Sequence, residues 1–293
     1  MSSTRIYRIT SLGRPLDPSW PSNKAVLILL PVLAVTGLLW GLLVAGDTTA
    51  GAGGSSLLAA FGQALVFSLA AFGCWALGRE LLPDDQAAAF VAMAFGVLTC
   101  LATTPGLMIL FVCLGLVRMV NRSTGLAART TDSMVLTVIV IWAIYATESP
   151  WLGGVAALAF VLDGVLKKPT RSQWLFGLIC FGALVVYLVD HDGPVSPFVA
   201  PDSLAEWLTI MALVLFSLNL ILLRKVHSRG DVDDVRLDID RVKGGMAIAI
   251  LCALQGLHHV NDVVLLVVTI GGLCFGIAFR RAFRSPAKGL RSN

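Results

Sequence analysis

Long uncharged apolar runs, separated by short polar stretches, dominate this chain. Residues 25–45, 57–77, 174–189 and 204–223 each read as a single helix of about bilayer length. Three further runs are too long for one helix. Residues 87–117 carry no charge at all, 134–166 are interrupted by Glu148-Ser149-Pro150, and 244–279 by His258-His259-Val260-Asn261-Asp262. Each could be one long tilted helix or a hairpin of two short ones. The runs are continuous rather than alternating, which excludes an outer-membrane barrel.

Charge chooses between these alternatives. If 87–117 crossed once, Arg79 and Arg118 would lie on opposite sides. With all three blocks folded as hairpins, the 22 Lys and Arg residues all fall on one side. The other side then holds only acids, Asp47, Glu148, Asp190, Asp192, Asp202, Glu206 and Asp262. Basic loops stay in the cytoplasm. The expectation is therefore an all-α polytopic membrane protein of about ten short transmembrane helices, several in tight hairpins, with both termini cytoplasmic. Residues 1–24 form a cytoplasmic N-terminal segment, 25–280 a single helical membrane domain and 281–293 a basic cytoplasmic tail. The first apolar run reads as an uncleaved span, since no small-residue cleavage site follows it. A bacterial-type inner (plasma) membrane fits this sidedness.

Composition agrees. The chain has 293 residues, 57% hydrophobic and 14% charged, with mean hydropathy +0.83, against about 25% charged in a soluble domain. Cys74, Cys100, Cys113, Cys180, Cys252 and Cys274 all lie in apolar runs without metal-ligand spacing and read as small core residues.

The hairpin helices are short. Fifteen residues span only ~22 Å of a ~30 Å core, so their far-side turns are expected below the surface, as the base of an outward-facing polar cavity; local bilayer thinning is the alternative. Glu148, His191, His258, His259 and Asp262 are the candidate lining of that cavity. Histidine and carboxylate ligands suit a divalent metal ion, but no metalloenzyme spacing is present, and a polar turn in which Asn261 or Asp262 caps the last helix is the bland alternative. Glu148 and Glu206 are also readable as helix-start residues, and Asp163 as an i,i+4 partner of Lys167.

On the basic side, Gly78-Arg79-Glu80-Leu81-Leu82-Pro83-Asp84-Asp85 echoes Gly13-Arg14-Pro15-Leu16-Asp17-Pro18. Arg79, Glu80, Asp84 and Asp85 form a candidate cytoplasmic polar site. Paired aspartates there could hold magnesium and a diphosphate; Asp84 and Asp85 also suit N-caps of the next helix. This loop bears a loose resemblance to intramembrane prenyltransferases, whose aspartate-rich pattern is not found here. The polybasic run at 280–284 suits anionic lipid headgroups, not nucleic acid. Ten short helices in such a chain are similar in architecture to drug/metabolite transporters, although the loops do not match between the two halves. Three function classes follow: a carrier or lipid- and amphiphile-handling protein, a membrane-embedded enzyme on a lipid-linked or extracytoplasmic substrate, and a non-catalytic subunit of a larger membrane assembly.

Overall fold

A computed structural model describes residues 7, 9–46, 53–191, 201, 203–257 and 260–284. Ten α-helices with described bounds follow one another: α1 (Pro21–Gly46), α2 (Gly53–Leu81), α3 (Gln86–Ala102), α4 (Met108–Asn121), α5 (Thr130–Ala146), α6 (Trp151–Val165), α7 (Gln173–Asp190), α8 (Leu204–Leu222), α9 (Ile239–Leu254) and α10 (Val260–Arg284). A single 3-10 turn, Gln255–Leu257, leads from α9 towards α10. The protein is a helical membrane protein. Among the described residues five segments, Pro21–Val44, Leu57–Leu81, Gln173–Asp190, Leu204–Leu222 and Asp262–Ala282, are long and apolar enough to cross a membrane.

Each of the three long apolar blocks divides into two helices. The breaks have local causes. Pro105 cannot continue α3, and Thr103 ends it with an extended backbone. Glu148 adopts a left-handed φ of 49° and Pro150 precedes the first residue of α6. Glu148 is exposed and no side-chain cap starts α6, so it does not serve as a helix cap. Glu206 does sit in a capped first turn, where Ser203 Oγ accepts from its backbone N–H at 3.2 Å.

The core centres on α4, whose Ile109, Leu110, Val112, Cys113, Leu116, Val117, Met119 and Val120 are all buried. It contacts α2, α5, α6, α9 and α10. On one side of it α1, α2, α3 and α10 pack together; on the other lie α5, α6 and α7. α1 and α8 are the least buried spans, with 17% of the residues in their most apolar stretch buried. A Cβ on Gly272 would lie 2.8 Å from Ala92 Cα, and one on Gly276 2.8 Å from Ala88 Cα, so α10 and α3 meet backbone to backbone. Small residues at i and i+4 permit that approach where lipid supplies no hydrophobic drive.

At one end of the bundle the helix turns interlock. Gln63 Nε2 donates to Thr104 Oγ1 at 3.2 Å, Gly106 abuts Asp262, and Ser149 Oγ bonds to Gln255 Oε1. Gln63 lies well inside α2, which continues to Gly53, roughly 15 Å further at ~1.5 Å per residue. The turns thus form a layer above which the α1–α2 hairpin projects. At the other end every described basic connection is tied to its neighbours. Ser11 binds Asp132, Thr124 Oγ1 donates to Ser11 O, Asp231 N donates to Ser123 O, and Asp84 accepts from His227 and Ser228.

Candidate functional site

A cavity of about 600 Å³ opens at this basic end, between the N-terminal segment, the last turns of α2 and the α8–α9 connection. Its ionic wall is built around Glu80, buried at the end of α2. Arg14 Nη1 and Arg118 Nε both donate to Glu80 Oε1, at 3.2 and 3.1 Å. Arg14 also grips Asp231 with two bonds of 2.6 Å, and Arg118 Nη1 donates to Leu12 O at 3.4 Å. Burial alone would lower the pKa of Arg14, but Glu80 and Asp231 outweigh it and hold it above the usual arginine value. Asn121 Nδ2 closes the wall by donating to Glu80 O at 2.8 Å.

The opposite wall is aromatic. Trp75 is buried, Phe72 half-buried and Trp20 exposed. Arg79 bridges the two walls. Its guanidinium lies 4.9 Å from the Trp75 ring centroid, within cation–π range, and its Nη1 donates to Asn23 Oδ1 at 2.7 Å. Among the described residues no carboxylate lies within ion-pair distance of Arg79.

The two stretches that echo each other in the sequence line this one cavity, Arg14 meeting Glu80 across it. Arg79 and Glu80 are therefore brought together, whereas Asp84 and Asp85 are turned to other tasks. Asp84 accepts from Ser228 Oγ at 2.6 Å and from the backbone N–H groups of His227 and Ser228 at 2.8 and 2.7 Å. Asp85 Oδ1 accepts from Ala88 N at 3.4 Å as the α3 N-cap, while Oδ2 pairs with Arg280 at 2.8 Å. The expected double cap is thus a single one. Both carboxylates are engaged by protein groups.

Asp163 also departs from expectation. It does not pair with Lys167, which reaches Asp238 at 3.5 Å. It is fully buried between Arg122, at 2.7 and 3.0 Å, and Arg241, at 2.7 Å.

Of the far-end candidates, His258 and His259 lie outside the described residues. His191 ends α7 with its ring stacked on Tyr187 at 4.0 Å between centroids, and its Nδ1 lies 3.1 Å from Tyr187 O. Asp262 lies against Gly106 in the α3–α4 turn. Among the described residues no three His, Cys, Asp or Glu side chains are grouped to hold a metal ion.

Comparison with protein-family models, curated proteins and solved structures finds no match to this chain. The site is therefore judged on its own geometry. Its sequence signal was the Arg79-Glu80 pair closing an otherwise uncharged span. Trp20, Asn23, Arg118 and Asp231 gave no separate signal, because they come from three distant segments, and Trp75, one turn before Arg79, reads as an ordinary apolar residue of α2.

Proposed function

We propose that this is a ten-span protein of the plasma membrane, of bacterial inner-membrane type, with both termini in the cytoplasm, and that it handles a membrane amphiphile at its cytoplasmic end. The observation that carries the reading is the cavity itself. It joins an aromatic wall to an ionic one, at the point where α2 leaves its apolar stretch. An amphiphile needs that pairing at the bilayer surface, an apolar lining for its chain or ring and fixed charge for its head. The orientation follows from the basic connections gathered at that end. The reading's partners are membrane lipids, anionic headgroups foremost, with the tail around Arg280 and Arg281 lying on the membrane surface; it involves no nucleic acid. Extended to a carrier, the reading places a second opening at the far end, on Glu148, His191, His258, His259 and Asp262.

The test is lipid retention. Full-length protein purified in mild detergent and examined by native mass spectrometry is expected to keep an amphiphile in single-site stoichiometry, and to bind an added short-chain amphiphile saturably. A chain that retains none, and binds none saturably, contradicts the reading.

A further inference from the structure

Ion pairing in the cavity leaves one arginine without a carboxylate in contact, although its lining holds four arginines and four carboxylates. Arg14 and Arg118 share Glu80, and Arg14 also holds Asp231. At the rim Arg229 pairs with Asp234 at 2.8 Å, and Asp17 Oδ1 accepts from Ser19 N at 2.9 Å. Arg79 remains. A guanidinium carries five N–H donors, and Asn23 takes one of them. Asn23 is fixed in turn, since it is buried and its Nδ2 donates to Asp17 O at 3.2 Å. A second polar atom is also unmatched. Trp75 is 2% exposed, and its Nε1 has no acceptor among the described residues. A buried N–H without an acceptor is unfavourable, and Trp75 lines this same cavity. Neighbouring donors that lack acceptors, on an arginine that no carboxylate touches, match an oxygen-bearing anion.

We propose that the cavity binds one phosphate-type oxyanion on Arg79, with Trp75 Nε1 as the second donor and Asn23 holding the guanidinium in place. The anion is the phosphodiester of an amphiphile or a small free phosphate; both present the same oxygens. Arginine suits this task because its planar fork meets two oxygens at once. The proposal rests on the reading that this cavity is the working one, and it names the group that is recognised.

The experiment titrates full-length detergent-solubilised protein with dioctanoyl phosphatidylglycerol, dioctanoyl phosphatidylcholine and inorganic phosphate, read by native mass spectrometry and tryptophan fluorescence. Wild type is expected to bind both lipids, which carry the same phosphodiester. Arg79→Gln is expected to weaken that binding about tenfold or more, Arg79→Lys less, and Trp75→Phe several-fold. Lys225→Gln, an exposed basic residue outside the cavity, is expected to change nothing. Thermal midpoints identify any variant that fails to fold; if Arg79→Gln does, Arg79→Lys and Trp75→Phe carry the test. Equal binding by wild type and the Arg79 variants overturns the oxyanion site while leaving amphiphile handling standing. Binding of phosphate but not lipid, lost in Arg79→Gln, supports the site and overturns the amphiphile reading. An equal loss on Lys225→Gln overturns the proposal.

Discussion

Asp163 carries two arginines in a part of the protein that water does not reach. Its carboxylate takes Arg122 through Nε and Nη2 and Arg241 through Nη1. The excess positive charge is met by backbone carbonyls, Lys168 O for Arg122, and Val120 O in the last turn of α4 and Lys167 O just past α6 for Arg241, all within 3.0 Å. The same bonds hold Arg122 at a φ of 49°, a conformation that costs a non-glycine residue about 1 kcal/mol or more. The group therefore bolts the ends of α4 and α6 to the start of α9. Asp163→Asn is expected to destabilise the protein by about 3–5 kcal/mol, because it strands two buried charges. A thermal-unfolding series in detergent checks this; a loss under about 1 kcal/mol contradicts it. Local spacing points Asp163 to Lys167, four residues on. Its actual partners stand 41 and 78 residues away, and no single-segment pattern contains that pairing.

The α3–α10 contact makes the sharpest demand at the level of elements. Gly276→Val would push its new side chain into Ala88, whose Cα is 2.8 Å from the Cβ position. A loss of about 1–3 kcal/mol is expected. Gly182→Ala, where a Cβ meets nothing within 4 Å, is expected to be neutral or to stabilise by up to about 1 kcal/mol. If the two substitutions lower the thermal midpoint alike, the close packing is wrong. The α8–α9 connection depends on Asp84 in a pH-sensitive way. Partial burial raises the pKa of Asp84, but the Ser228 hydroxyl and the His227 and Ser228 N–H groups together bring it below the usual carboxylate value. A lowered pKa means that the stabilisation is full above about pH 3.9 and is lost as pH falls through the lower folded value. Amide exchange at His227 and Ser228 should accelerate on acidification through that range, and Asp84→Asn should flatten the dependence. Unchanged exchange in that variant contradicts the docking. The breaks at Pro105 and Pro150 were legible in the sequence because each proline follows polar turn residues, Thr103-Thr104 and Glu148-Ser149, whereas Pro31 in an apolar run is carried inside α1. Which aspartate would cap α3 was not, since the choice depends on a loop more than 140 residues later.

For the whole molecule, the gathering of the described basic connections at one end was legible because successive helices reverse direction and basic residues recur in every second connection. The cavity was not. Its parts come from the N-terminal segment, α2, α4 and the α8–α9 connection, and residues 9–20 read as a polar tail although Ser11, Leu12 and Arg14 lock into the bundle. The central claim is that this basic end, with its cavity, faces the cytoplasm. Single cysteines in a cysteine-free background test it most directly, Asp190→Cys at the end of α7 and Val232→Cys in the α8–α9 connection, both at exposed positions. An impermeant maleimide is expected to label Asp190→Cys in intact cells and Val232→Cys only after lysis. Equal labelling at the two positions, or the reverse order, contradicts the account.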